Sequence, residues 1–270
     1  KPKAGNARPM NTLRSLLFNI YFIGGTALTI IIGVPMLAFP PPLLTRFIVF
    51  WATAMIAGLR VICGIRLEVT GMANLPPGGV IIAAKHQSAF DTMVWLKLVP
   101  TSVYVAKKEL LEIPGWGWLA RHCGQLSVDR TAGAAAMRTL VRETKARLAG
   151  GRPVVIFPEG TRTAPGERVP YQPGVAAMAA ASGAQVVPVA TDSGRLWGRR
   201  AFRKMPGVIH ISILPPLPPG LPRAALMSRL EETIETETAR RYNPQEYVDK
   251  SGERRRPALH SGGQGDGSTN

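Results

Sequence analysis

The sequence predicts an α/β fold: a mostly parallel central sheet flanked by helices, with an N-terminal hydrophobic helical hairpin ahead of it. Three observations carry this expectation. From Arg66 onward, short β-branched runs alternate with helical segments, the order that builds parallel sheets covered on both faces. Gly and Pro clusters punctuate that alternation. Apolar residues are concentrated at the N-terminus, which lets mean hydropathy reach +0.07 in a chain of net charge +16.

The hairpin comes first. From Ser15 to Thr45, 31 residues carry no formal charge, whereas about 20 apolar residues suffice for a bilayer-spanning helix. Pro40, Pro41 and Pro42 interrupt the run, and a second charge-free stretch of 13 residues, Phe47 to Leu59, ends at Arg60 and Arg66. The first run exceeds a signal-peptide core, and no small-x-small cleavage site follows it. Lys1, Lys3, Arg8 and Arg14 flank one end and Arg60 and Arg66 the other, so the positive-inside rule places both ends in the cytoplasm. Arg46 at the tip burdens a full crossing, and the short second arm suits a hairpin dipping into one leaflet equally well. Residues 1–65 are therefore expected to form a membrane-associated unit, spanning or monotopic.

Six strands are expected next: Gly79 to Ala84, Thr101 to Ala106, Gly124 to Asp129, Arg152 to Phe157, Ala184 to Ala190 and Gly207 to Leu214. Between the third and fourth, Met137, Leu140, Val141, Thr144 and Leu148 recur at helical spacing, and Gly150 and Gly151 stop that helix. An Ala-rich helix spans Gly174 to Ser182, and another begins near Pro222. Residues 249–270 lack apolar periodicity and are rich in Gly, Ser and charge, the composition of a disordered tail. Cys63 and Cys123 fit no metal or disulfide spacing and read as small buried hydrophobes.

Lys and Arg total 33 against 17 Asp and Glu, giving a pI near 10.7, so the chain seeks anionic partners: nucleic acid, a membrane surface or a phosphorylated substrate. No Walker or Rossmann glycine loop is present. The segment "GRLWGRRAFRK", Gly194 to Lys204, sets five basic residues around Trp197 and Phe202 without an acid. Beside a hydrophobic hairpin, docking on anionic lipid headgroups explains it more simply than nucleic acid does, with a solvated loop as the plain alternative.

Chemistry concentrates in "KHQSAFD", Lys85 to Asp91. On a regular helix, His86 and Asp91 would lie about 140° apart. They meet only if they straddle a boundary, with His86 in a loop after a strand and Asp91 in the first turn of a helix capped by Ser88. The same letters resemble a capping box in which Asp91 merely ties down backbone amides. A second signal, "FPEGTR" from Phe157 to Arg162, follows another strand, so both stretches fall at strand carboxyl ends, where ligands of α/β sheets gather. Gly160 permits close backbone approach, and Arg162 offers a planar fork for phosphate oxygens. Arg130 follows a third strand as either a phosphate ligand or an ordinary charge beside Asp129. Among the other histidines, His210 reads as a core or edge residue of its strand, His122 has no acidic partner nearby in sequence, and His260 lies in the tail.

With these blocks in place, the chain resembles the glycerolipid acyltransferase family, and most nearly its bacterial 1-acyl-sn-glycerol-3-phosphate acyltransferases. The H-x-x-x-x-D block is His86 to Asp91, a block ending in Arg looks like Gly124 to Arg130, F-P-E-G-T-R is Phe157 to Arg162, and V-P-V is Val187 to Val189. Ser127 and Thr163 depart from residues usual in the family. The resemblance implies an acyltransferase domain over 66–248 that moves a fatty acyl group from acyl-CoA or acyl carrier protein to the sn-2 hydroxyl of 1-acyl-sn-glycerol-3-phosphate, giving phosphatidic acid. It implies His86 as general base and Asp91 as its orienting carboxylate. It also implies Arg130, Glu159, Gly160, Thr161 and Arg162 as the acceptor phosphate site, with Lys107 a weaker addition and Glu159 orienting an arginine. No metal or bound cofactor is called for. The partners are membrane phospholipids, lysophosphatidic acid and the acyl donor, with no nucleic acid, and the place a bacterial-type inner membrane with the active site on the cytoplasmic face. Another lyso-lipid acceptor, and a non-catalytic protein that binds anionic lipid, are the alternative readings.

Overall fold

A computed structural model of the chain describes residues 7–129 and 133–242. The expected tail and Arg130 lie outside those residues.

Two apolar helices form the hairpin, α1 (Ala7–Gly33) and α2 (Pro41–Cys63), joined by a short turn through Pro35 and Pro40. Prolines at the turn withhold the N–H groups a continuous helix would need, so the chain reverses there. Gly64, at φ +70°, closes α2 by donating its N–H to the carbonyls of Arg60 and Leu59. Leu44, Ile48, Trp51, Met55, Leu59 and Cys63 recur at helical spacing and are buried. The opposite pattern holds on α1, where Leu17, Ile20, Ile23, Leu28 and Ile31 stay exposed. Both helices are long and apolar enough to cross a membrane.

The sheet has seven strands: β1 (Ile65–Thr70), β2 (Ile81–Ala84), β3 (Val103–Lys107), β4 (Leu126–Val128), β5 (Val154–Ile156), β6 (Val186–Thr191) and β7 (Gly207–Ile213). Their spatial order is β1-β7-β6-β2-β5-β3-β4. The five from β6 to β4 are mutually parallel, β7 is antiparallel to β6, and β1 is parallel to β7. The sheet is thus mostly parallel, as expected. Strand β1 was not among the six expected; its alternation of Ile65, Leu67 and Val69 with Arg66, Glu68 and Thr70 is a strand signal masked by the arginine that also closes the hairpin.

Helices cover both faces. On one side lie α1, α2, α3 (Phe90–Leu98) and the short α4 (Lys108–Leu111) and α5 (Trp116–His122); on the other lie α6 (Gly133–Ala149), α7 (Gly174–Ser182) and α8 (Arg223–Arg241). Central β2 shows why its sequence lacks alternation: Ile82 and Ala84 join the hairpin-side core, Ile81 and Ala83 the other, and both need apolar residues. The hairpin is not a separate body, because Phe18, Leu44 and Trp51 share one core with Trp95, Val155 and Val187.

The basic segment after β6 departs from its expected role as a purely lipid-facing or solvated loop. Trp197 and Lys204 are buried against α1. The Trp197 indole meets Phe18 edge-on at 5.4 Å and Phe22 at 5.8 Å. Lys204 Nζ stands 5.0 Å over that indole and donates to the side-chain oxygen of Asn19 and, at 3.0 Å, to the Phe202 carbonyl. Burial pushes the Lys204 ammonium below its ordinary range. Replacing Trp197 with Ala should remove the ring against which α1 packs and cost about 3–5 kcal/mol of stability, measured by denaturation in detergent. A loss under about 1 kcal/mol would show that α1 is held by other contacts.

Candidate active site

Strands β2 and β5 are parallel neighbours, so the loops leaving their carboxyl ends touch. The first carries His86 and the second runs from Phe157 to Thr163. Glu159 fastens them: its Oε2 accepts the His86 backbone N–H at 2.6 Å, and its Oε1 accepts the Thr163 hydroxyl at 2.8 Å. The His86 carbonyl in turn accepts the Thr163 N–H at 2.9 Å. The histidine backbone is therefore held on both sides by one loop, before its ring makes any contact.

The ring is placed by two more groups. Nδ1 lies 3.2 Å from Asp91 Oδ2, and the imidazole stacks on Phe157 with centroids 4.0 Å apart and planes 16° from parallel. Asp91 Oδ2 also accepts the N–H groups of Gln87 at 2.7 Å and Ser88 at 2.8 Å. The capping and orienting readings are thus not alternatives, since one oxygen serves both. The other oxygen of Asp91, Oδ1, is buried and has no hydrogen-bond partner among the described residues.

Lys85, just before His86, is 1 % exposed and sits between two carboxylates, Glu159 Oε1 at 2.7 Å and Glu235 Oε1 at 2.6 Å. This departs from the expectation that Glu159 orients an arginine. Its oxygens are occupied by a lysine, a threonine and a backbone amide, and it faces the protein interior. Burial pushes the Glu159 carboxyl above its usual range, against the pull of Lys85.

His86 opens into a cavity of about 520 Å³. Its polar mouth holds Gly160, Thr161, Arg162, Arg199 and Arg200, with Lys107 from the end of β3 also on the wall. The rest is mostly apolar, with Ile48 and Trp51 of α2 facing Leu96, Leu111, Trp116 and Leu119. Burial draws the Arg162 guanidinium below its ordinary range; the Asp91 carboxylate opposes that shift and Arg199 adds to it. Gly160 adopts φ +69°, a turn that favours glycine. The structure thus gathers His86, Gly160, Thr161, Arg162 and Lys107 around one cavity, sets Asp91 against the His86 ring and Glu159 against its backbone, both outside the lining, and leaves Arg130 undescribed.

The sequence reading assigned no role to Lys85, Glu235, Thr163, Phe157, Arg199 or Arg200 in this site. A lysine ending an apolar strand was a visible signal for Lys85; nothing local pointed to Glu235, 150 residues away. His122 Nε2 donates to the Phe39 carbonyl at 3.0 Å, and His210 pairs with Asp192 at 2.9 Å outside the cavity lining.

Residues 66–192 match the acyltransferase family model. A 1-acyl-sn-glycerol-3-phosphate acyltransferase of Pseudomonas aeruginosa is 34% identical over 171 residues, covering 63% of this chain and 66% of that one. The human 1-acyl-sn-glycerol-3-phosphate acyltransferase alpha is 29% identical over 170 residues, covering 61% and 59%. The chain therefore spans just under two thirds of the first relative and about three fifths of the second. The crystal structure of the 1-acyl-sn-glycerophosphate acyltransferase from Thermotoga maritima superposes with a TM-score of 0.69 at 23% identity, over 85% of this chain and 97% of that one, and shares the fold.

Replacing Glu159 with Ala should leave the His86 amide unpaired and Lys85 with one carboxylate, a loss of about 3–5 kcal/mol as for other broken buried pairs. Thr163→Val, which removes one donor, should cost about 1 kcal/mol. Denaturant titration of both variants checks the order, and equal losses would show that Glu159 is not the central tie.

Proposed function

We propose that the chain, whose residues 66–192 match the acyltransferase family model, transfers a fatty acyl group from an acyl thioester to the sn-2 hydroxyl of 1-acyl-sn-glycerol-3-phosphate, releasing the thiol and phosphatidic acid. One observation carries this reading. The imidazole–carboxylate pair at 3.2 Å stands where an arginine-lined mouth meets an apolar cavity, so one lipid can present its phosphate, its hydroxyl and its chain together.

An alcohol is too weakly acidic to attack a thioester unaided at neutral pH. With Nδ1 donating to Asp91, His86 has Nε2 as its free base, and it removes the acceptor's hydroxyl proton as the oxygen attacks the thioester carbonyl. General-base assistance of this kind is worth about 10²- to 10⁴-fold. Collapse of the tetrahedral intermediate breaks the carbon–sulfur bond, and the imidazolium returns the proton to the departing sulfur. The acceptor hydroxyl is itself the nucleophile, so no covalent acyl-enzyme forms.

Arg162, with Arg199 and Arg200 beside it, holds the acceptor phosphate. Arg199 stands close enough to Arg162 to oppose its charge, and a phosphate between them relieves that repulsion. Gly160 and Thr161 shape the loop around it. Glu159 serves from below through His86, and Lys107 stands on the rim.

The hairpin keeps this mouth at a membrane surface, in a bacterial-type inner membrane with the active site on the cytoplasmic face. Its tip does not project away from the domain: Gly33 packs against Leu119, Ile30 against Gly115, and the Phe39 carbonyl lies 3.0 Å from His122. A tip fastened to the catalytic domain favours a hairpin lying in one leaflet over one that crosses the bilayer. Arg60, Arg66 and Lys97 line a second cavity at its base, where headgroup phosphates would meet them.

Replacing His86 with Ala should abolish acyl transfer while membrane association persists; retained turnover would remove the enzyme reading. Arg162→Ala should raise KM for lysophosphatidic acid by about tenfold or more, the worth of a charge-assisted hydrogen bond, with KM for the acyl donor unchanged. The assay is product identification from purified protein with a panel of lyso-acceptors and both thioester donors. A rise in donor KM instead would reverse the assignment.

A further inference from the structure

Each neighbour of His86 in the chain is tied by its side chain to the same distant helix. On one side, Lys85 Nζ pairs with Glu235 Oε1 at 2.6 Å, and Glu235 is also held by the Tyr171 hydroxyl at 2.8 Å. On the other side, Gln87 is fully buried; its Nε2 donates to the Tyr242 hydroxyl at 2.6 Å, and its Oε1 accepts the Gly194 N–H at 3.2 Å. Glu235 lies within α8 and Tyr242 follows its last residue. The two are seven positions apart, about two helical turns on one face.

Helix α8 lies beyond the residues that match the family model. It packs through Leu226, Leu230 and Ile234 into the core on the far side of the sheet from the hairpin. Its contacts with the histidine loop are therefore made from the face opposite the cavity, and neither Glu235 nor Tyr242 lines that cavity.

We propose that α8 is the positioning element for His86: Glu235, acting through Lys85, and Tyr242, acting through Gln87, hold the peptide units on either side of the imidazole so that Nε2 points at the acceptor hydroxyl. The inference rests on the acyltransferase reading above. Stability alone does not account for this arrangement. A buried lysine between two buried carboxylates pays for desolvation that apolar residues of similar size avoid. What such a group supplies, and an apolar contact does not, is direction: the ammonium fixes the distance of both carboxylates, and the one shared with Glu159 reaches the His86 amide itself. Gln87 is equally directional, its two ends bonded to different elements. Glu159 binds the His86 amide directly while α8 and the residue after it hold Lys85 and Gln87, so the chain is fastened at three consecutive positions.

The test uses the full-length protein in detergent and compares Glu235→Gln, Tyr242→Phe and, as a control on the exposed side of α8, Arg229→Gln. Steady-state kinetics with an acyl thioester and lysophosphatidic acid should show kcat lower by about tenfold to a hundredfold in the first two, the cost of a misplaced catalytic group. KM for both substrates should be unchanged, and the control should match wild type. Histidine ¹⁵N spectra provide a second readout independent of turnover: the His86 ring signals should shift in Glu235→Gln and Tyr242→Phe and stay in place in Arg229→Gln. Tyr242→Phe removes only a hydroxyl, so it decides the matter if Glu235→Gln fails to fold. Wild-type kcat with unshifted His86 signals in folded Tyr242→Phe would overturn the proposal, as would a loss confined to KM. If wild type itself does not acylate lysophosphatidic acid, the proposed function falls, and the spectra still decide whether α8 positions His86.

Discussion

Glu159 is the group on which the rest of the site depends. Two loops leave adjacent parallel strands, and nothing in strand pairing dictates how they lie relative to each other once the strands end. One buried carboxylate settles it by binding the His86 amide, the Thr163 hydroxyl and the Lys85 ammonium together. Its charge is tolerated at 3 % exposure because it has three donors. The imidazole then needs only Asp91 and Phe157 to complete its orientation.

Much of the fold was legible because its periods are simple. Unbroken apolar runs marked the central strands, which are covered on both faces, and prolines marked the turn of the hairpin. Strand β1 was obscured by its own context, a polar alternation beginning where a charged residue closes an apolar helix. In the site, His86 and Asp91 were legible as a pair because strand, loop and helix follow one another within seven residues. The partner of Lys85 was not, since α8 returns to the loop only through the tertiary fold. The role expected for Glu159 shifted for a related reason: sequence places it beside Arg162, yet the turn at Gly160 sends the two side chains to opposite sides of the loop.

Trp197 and Lys204 carry a similar lesson about composition. A run of basic and aromatic residues reads as a surface, and Arg199, Arg200 and Phe202 fit that description. Within the same run, the indole and one ammonium turn inward to seat α1, where the cation lies over aromatic faces and its protons reach Asn19 and Phe202. One segment thereby couples the cationic mouth of the cavity to the apolar helix beneath it.

Helix α2 has one further consequence. Ile48 and Trp51 form a wall of the cavity, while Phe50, between them in sequence, is 68% exposed on the outer side of the same helix. A hydrocarbon tail lying against Phe50 is separated from the cavity by the thickness of one helix. On the proposed reading, substrate passes sideways from leaflet to protein without entering water, and turnover follows how densely the acceptor populates the surrounding lipid rather than its concentration in bulk solution.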